Sequence, residues 1–162
     1  MNHFTLTELC QSDTAVRMGI DNMPPPDVVL NLNYLMDGLE VVRNILGDKP
    51  IRVSSGYRSE ALERVLCGKD FKAWCIRHGK TIDEWSEYFK NKAHPKGYAC
   101  DFTCPEFGTP AQIVEKLRKM PMRYDQLICE GTWVHISFDP ALRGQTLVAT
   151  FNKDGIPSYS QS

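Results

Sequence analysis

The longest periodic run of apolar residues predicts a helix over residues 27 to about 46. Its apolar side chains recur at three- and four-residue steps, which places them on one buried stripe: Leu32, Leu35, Met36, Leu39, Val42 and Leu46. Pro26 suits the first turn of such a helix, and Gly47 suits the position just past its end. The pattern therefore predicts one long amphipathic helix against the core of a domain.

Shorter patterns follow this helix. Residues 51–54 predict a strand that leads into the turn Ser55-Gly-Tyr-Arg58-Ser59. Residues 60–92 are rich in helical signals, among them the capping-box pattern Thr81-Ile-Asp-Glu84. Another helix opens at Thr109. Four more strands are predicted at residues 98–103, 124–129, 133–138 and 146–151.

This order of elements favours an α+β fold, a single domain with a mostly antiparallel central sheet flanked by helices. We assign residues 1–157 to the domain, with a helical insertion over about 60–92, and residues 158–162 to a flexible tail. The aromatic residues of the insertion are expected to pack as a core or a lid: Trp74, Trp85, Tyr88 and Phe89.

Composition and charge exclude several classes of function. The net charge of −1 comes from interspersed acids and bases, without the basic stripe of a nucleic-acid binder, so no nucleic-acid partner is expected. No run approaches the roughly 18–20 apolar residues that span a membrane, so no membrane partner is expected. The first residues lack a secretory signal, and the six cysteines form no CxxC pair, which favours synthesis in the cytoplasm with free thiols.

Two of the four histidines lie in segments that can build a site. His94 precedes the strand that carries Asp101, and His135 lies in the strand predicted at 133–138. Alternation along that strand turns His135 towards a cleft, because its neighbours Val134 and Ile136 then face the core. If the two strands are neighbours, Asp101 lies close to His135, with His94 in the loop that leads in.

Two imidazoles and one carboxylate are a standard ligand set for catalytic zinc, although they accept other divalent metals. The fourth position is left for a water molecule, whose acidity the metal raises. Glu130, five residues before His135, is a natural base for the proton of that water. Arg58, on the turn after the first strand, is the best cationic candidate for stabilising an oxyanion and fixing the substrate.

The remaining histidines, His3 and His78, are expected at the surface. Cys100 and Cys129 flank the proposed site residues, and alternation points them to the core. Trp133 shares the face of His135, where it either lines the cleft or supports the metal ligand.

Four motifs resemble the zinc D-alanyl-D-alanine carboxypeptidase family. In chain order they are Ser55-Gly-Tyr-Arg58-Ser59, His94-x-x-Gly97-x-Ala99-x-Asp101-Phe102, Asp125-Gln-Leu-Ile128-x-Glu130 and Trp133-Val-His135-Ile-Ser137. That family includes L-alanyl-D-glutamate endopeptidases of bacteriophage lysis systems and is a fold relative of the hedgehog signalling domain. The N-terminal Phe4-Thr-Leu-Thr-Glu-Leu9 and Gly19-Ile-Asp-Asn22 also look like peptidase-15-type domains of phages and bacteria.

The resemblance implies one bound zinc ion with the ligands His94, Asp101 and His135. It also implies Glu130 as general base and Arg58 as the group that stabilises or orients the substrate. Substrate contacts are expected from Arg58, Ser55, Tyr57 and Trp133. Relatives usually carry a serine where this chain has Lys92, and residues 69–91 look longer than the corresponding loop. Both departures bear on the choice of substrate more than on the metal.

The leading hypothesis is zinc-dependent hydrolysis of an amide bond in peptidoglycan stem peptides, of the D,D-carboxypeptidase or L-Ala-D-Glu endopeptidase type. The enzyme would be phage- or prophage-encoded, a monomer, and active on the cell wall after release or as part of a virion. One alternative is a non-catalytic, zinc-stabilised binding or virion-assembly module of the same fold. Another is a dipeptidase that acts on free D-amino-acid dipeptides. The presence of both Glu130 and Arg58 speaks against the binding module.

Overall fold

The computed structural model describes residues 2–162. Its helices are α1 (Leu6–Cys10), α2 (Asp13–Met18), α3 (Pro26–Ile45), α4 (Glu60–Leu66), α5 (Gly68–His78), α6 (Trp85–Phe89) and α7 (Pro110–Leu117), with a 3₁₀ helix (Ile82–Glu84) before α6. Its strands are β1 (Arg52–Ser55), β2 (Ala99–Thr103), β3 (Gln126–Cys129), β4 (Val134–Ser137), β5 (Gln145–Phe151) and β6 (Pro157–Gln161).

The six strands form one sheet in the order β1-β2-β4-β3-β5-β6. Neighbouring strands are antiparallel except β3 and β5, which run parallel. The predicted α+β domain with a mostly antiparallel sheet is therefore confirmed.

The main core lies on one face of this sheet. The apolar stripe of α3 packs there, with Leu32, Leu35 and Leu39 fully buried, together with residues of α1 and α7. Pro26 begins α3, as predicted. Cys100 and Ile136 are cross-strand partners on the core side of the sheet, and both are fully buried. Because side chains alternate along a strand, Asp101 and His135, which are next to Cys100 and Ile136 in their strands, face the opposite side of the sheet.

The predicted insertion, residues 60–92, has a small core of its own. Its buried members are Cys67, Phe71, Cys75, Trp85 and Tyr88, with Trp74 and Phe89 packed against them. Phe71 meets Trp85 edge to face at 5.1 Å between ring centroids, which is a favourable geometry for aromatic pairs. The aromatic cluster is therefore core packing of the insertion.

Two local predictions were wrong. The capping box at Thr81 does not form, because this residue precedes a 3₁₀ helix and its side chain makes no capping hydrogen bond. Residues 158–162, predicted to be a flexible tail, form most of β6, which pairs with β5 from Leu147↔Gln161 to Phe151↔Pro157. The backbone hydrogen bonds of an added edge strand account for this order. Within the described residues, no helix has the length and hydropathy needed to cross a membrane.

Candidate active site

The sheet register brings Asp101 and His135 together. They are direct partners across β2 and β4, on the face opposite the main core, and Nδ1 of His135 lies 2.8 Å from Oδ1 of Asp101. His94 reaches the same oxygen from the turn before β2, with Nε2 at 3.3 Å. Gly97 shapes that turn with a φ of 75°, a conformation that suits glycine. The three residues that the sequence singled out thus form one cluster.

The turn after β1 fixes the ring of His94. The carbonyl oxygen of Gly56 lies 2.7 Å from Nδ1 of His94. Because a carbonyl oxygen can only accept, Nδ1 carries the ring proton and donates a hydrogen bond to it. The lone pair of Nε2 is then directed at Asp101. A metal-ligating histidine is typically oriented by such a hydrogen bond from its other nitrogen.

This turn is itself held by α1 and by Asn22. The N–H of Tyr57 donates to the carbonyl of Leu9 at 2.7 Å. A Cβ atom on Gly56 would lie 2.4 Å from the same carbonyl oxygen, so glycine is required there. Asn22 accepts from the N–H of Ser59 at 2.7 Å and donates to the carbonyl of Tyr57 at 3.1 Å. The N-terminal part of the chain therefore positions Gly56, whose carbonyl group contacts His94.

The donor set fits a divalent metal. One ligand atom from each of His94, Asp101 and His135 lies within 4.8 Å of the others. Ligand atoms about 2 Å from a tetrahedral metal are about 3.3 Å apart, close to the spacing between the histidine nitrogens and the Asp101 oxygen. Burial and the nearby Arg58 charge lower the pKa of His94, which favours its neutral form. Burial alone would raise the pKa of Asp101, but the histidines hold it well below its ordinary range.

Arg58 contacts the cluster directly. Its Nη2 donates to Oδ2 of Asp101 at 2.7 Å, its Nη1 to Glu63 at 3.3 Å and its Nε to Ser55 at 2.9 Å. Glu63, which sequence reasoning did not select, is 1% exposed and also accepts from the thiol of Cys67. Arg58 therefore links Asp101 to a second buried carboxylate as well as facing the cavity.

Glu130 lies in the tight connection between β3 and β4. Its N–H donates to the carbonyl of Trp133 at 3.0 Å, and Gly131 follows with a φ of 81°. The Glu130 side chain is buried at the wall of the cavity, and burial raises its pKa above the ordinary value. A carboxyl group whose pKa is shifted upwards accepts a proton more readily, which suits a general base.

A cavity of about 470 Å³ contains this cluster. Arg58, Glu130 and Trp133 line it with the three cluster residues, whereas Ser55 and Tyr57 lie outside the lining. Tyr57 is buried in the main core, and Ser55 is the acceptor for Arg58. The insertion contributes one wall with Glu63, Cys67, Asp70, Asn91 and Lys92.

The hairpin of β5 and β6 contributes another wall through Phe151 and Tyr159, a contribution that sequence reasoning missed. The signal that could have found it is Asp154-Gly155 after the strand pattern, a dipeptide common in hairpin turns. Gly155 has a φ of 76°, as such a turn requires.

The other predicted side chains lie as follows. His3 and His78 are exposed, with His3 paired to Glu40. Cys100 is buried in the main core, and Cys129 packs against it. All six cysteines have free thiols.

Comparison with known proteins bears on the N-terminal part of the chain. A family model described as Peptidase M15 matches residues 2–73, which include the α1 contact, Asn22 and the Arg58 turn. The search of curated proteins returned no match. The cluster of His94, Asp101 and His135 lies beyond the matched residues and has the ligand types and spacing to hold a metal ion. The N-terminal part of the chain, residues 2–73, is similar to the peptidase M15 family.

Proposed function

We propose that the protein is a zinc peptidase that hydrolyses an amide bond in peptidoglycan stem peptides, of the D,D-carboxypeptidase or L-Ala-D-Glu endopeptidase type. The observation that carries the proposal is the convergence of His94, Asp101 and His135 in a cavity that also holds the buried carboxyl group of Glu130. The match of residues 2–73 to the Peptidase M15 family model supports a metallopeptidase. The wall substrate and a phage or prophage origin rest on the resemblance of the motifs to phage lysis endopeptidases.

His94, Asp101 and His135 would hold the metal. When bound, a zinc ion supplies Lewis acidity, which lowers the pKa of water and polarises a carbonyl group. Glu130 takes the proton from the attacking water and returns it to the leaving amine, so that one carboxyl group serves as base and then as acid.

Arg58 has two functions in this proposal. Its bond to Asp101 holds that carboxylate in place, and three of its five N–H groups have acceptors among residues 2–162. The N–H groups that remain can bind a substrate oxygen at the cavity wall, where guanidinium is a strong donor.

Mass spectrometry of purified peptidoglycan after incubation with zinc-loaded protein tests the proposal. New stem-peptide fragments are expected from the wild type, and their masses identify the bond. Glu130→Ala is expected to reduce the rate by about 10²–10⁴-fold, the usual contribution of general acid–base catalysis. Glu106→Ala removes an exposed glutamate outside the cavity and is the matched control, with an unchanged rate.

Three results would contradict this proposal in whole or in part. Equal rates for Glu130→Ala and the wild type would exclude Glu130 as the base. A folded, metal-loaded wild type that yields no wall fragments but cleaves free D-amino-acid dipeptides would be a dipeptidase. Inactivity on both substrates would favour a binding or assembly module.

A further inference from the structure

The C-terminal strand places a tyrosine beside the proposed base. β3 pairs in parallel with β5 up to Cys129↔Val148, and β5 pairs with β6 at Ala149↔Tyr159. Glu130 follows Cys129, so continuing this register places it beside Ala149 of β5. Ala149 is in turn the partner of Tyr159 in β6. Residues at the same level of adjacent strands face the same side of a sheet. Glu130 and Tyr159 both line the cavity, in agreement with this register.

The residue between them leaves room for a contact. Ala149 is small and 6% exposed, so no large side chain separates Glu130 from Tyr159. Two strand spacings amount to about 10 Å, which long side chains on the same face can bridge when they lean towards each other.

The electrostatics agree with this placement. Burial raises the pKa of Glu130, and the nearby Tyr159 side chain acts against that rise. Tyr159 is half-exposed; its partial burial and the Glu130 charge raise its pKa, so its phenol keeps its proton at neutral pH and remains a hydrogen-bond donor.

We propose that Tyr159 is a positioning residue, whose hydroxyl group donates a hydrogen bond to the Glu130 carboxylate and holds it towards the attacking water. This inference rests on the proposed function of Glu130 as base. The residue lies beyond the stretch of the chain that resembles the carboxypeptidase family. The β5–β6 hairpin would therefore add a part of the machinery that the family motifs do not contain.

Tyr159→Phe tests the inference, because it removes the hydroxyl group and keeps the ring. We expect kcat to fall about tenfold with little change in KM. Removing the donor also raises the pKa of Glu130, so the acid limb of the kcat/KM profile moves to higher pH. Tyr34→Phe is the matched control, since Tyr34 is equally exposed at 52% but packs against Phe138, outside the cavity. It should change neither quantity.

A second readout does not depend on turnover. The ¹³C resonance of the Glu130 carboxyl group, assigned by its loss in Glu130→Gln, is titrated in metal-free protein. Its midpoint should rise in Tyr159→Phe and stay unchanged in Tyr34→Phe. Unchanged midpoints in both variants would overturn the inference, as would a fall in kcat with an unmoved acid limb. If the wild type lacks peptidase activity while the midpoint still rises, the proposed function fails and the Tyr159–Glu130 contact stands.

Discussion

At the scale of single residues, Asp101 is the point at which the polar contacts of the site meet. Its Oδ1 lies within 3.3 Å of a ring nitrogen of His94 and of His135, and its Oδ2 accepts a hydrogen bond from Arg58 at 2.7 Å. Arg58 in turn approaches Glu63, a carboxylate that is 1% exposed. A buried charge without a partner is costly, so Arg58 has a structural function whether or not substrate is bound.

Replacing Arg58 by methionine should therefore destabilise the fold as well as impair the site. We expect a loss of about 3–5 kcal/mol in the free energy of unfolding at neutral pH, since Glu63 loses its partner. Urea unfolding of metal-free protein measures this loss. Arg118→Met removes an exposed ion pair with Glu115 and should lower the free energy of unfolding far less.

The pH dependence of this loss follows from the pKa of Glu63. Burial alone would raise that pKa, but Arg58 lowers it below the ordinary value. A carboxyl group with a depressed folded-state pKa stabilises the fold above its unfolded pKa of about 4.3, and this stabilisation disappears as the pH falls through the folded value. The difference between wild type and Arg58→Met should accordingly shrink below about pH 4. A loss no larger than that of Arg118→Met would contradict this account.

At the scale of elements, the sequence predicted those helices and strands in which buried residues recur with a regular period. The three- and four-residue steps of α3 and the alternation around His135 report which side faces the core, so the helix and the site face could both be found. Contacts between residues far apart in the chain produce no such periodic pattern. The contact of Gly56 with Leu9 and the bridge from Asn22 to Ser59 join residues far apart in the chain. The mostly polar β6 has too weak a hydrophobic pattern to be recognised as a strand.

The turn after β1 should be intolerant of even one added carbon atom. In Gly56→Ala, Cβ would lie 2.4 Å from the backbone oxygen of Leu9, which no side-chain rotation relieves. The turn must shift, and the carbonyl that orients His94 shifts with it. Changing such a partner of a metal ligand typically costs 10–100-fold in metal affinity.

Gly68→Ala provides the control for this change. Gly68 opens α5, and an added Cβ there meets nothing within 4 Å. Isothermal titration with zinc should show weaker binding for Gly56→Ala and unchanged binding for Gly68→Ala. Equal zinc affinity in Gly56→Ala and the wild type would show that the carbonyl of Gly56 does not orient the ligand.

At the scale of the whole molecule, the cavity lies where several parts of the chain meet. The main core supports the sheet that carries Asp101 and His135, while the insertion packs around its own aromatic cluster. The insertion supplies Glu63 and Lys92 to one wall, and the β5–β6 hairpin supplies Tyr159 to another. A metal at the cluster would bind residues from β2, β4 and the turn before β2 at once, so its binding energy would act on the folded state as a whole.

Metal binding should therefore raise the stability of the entire fold. A ligand that binds only the native state stabilises it by about 2.7 kcal/mol at 100 times its dissociation constant, which corresponds to about 5–10 °C for a domain of this size. Calorimetry with and without zinc should show that rise in the wild type and in His78→Ala, which removes an exposed histidine. It should be absent or strongly reduced in His135→Ala, which removes one ligand of three. If zinc stabilises His135→Ala as much as the wild type, the ion binds elsewhere, and the cluster around Asp101 is a network of hydrogen bonds without a metal.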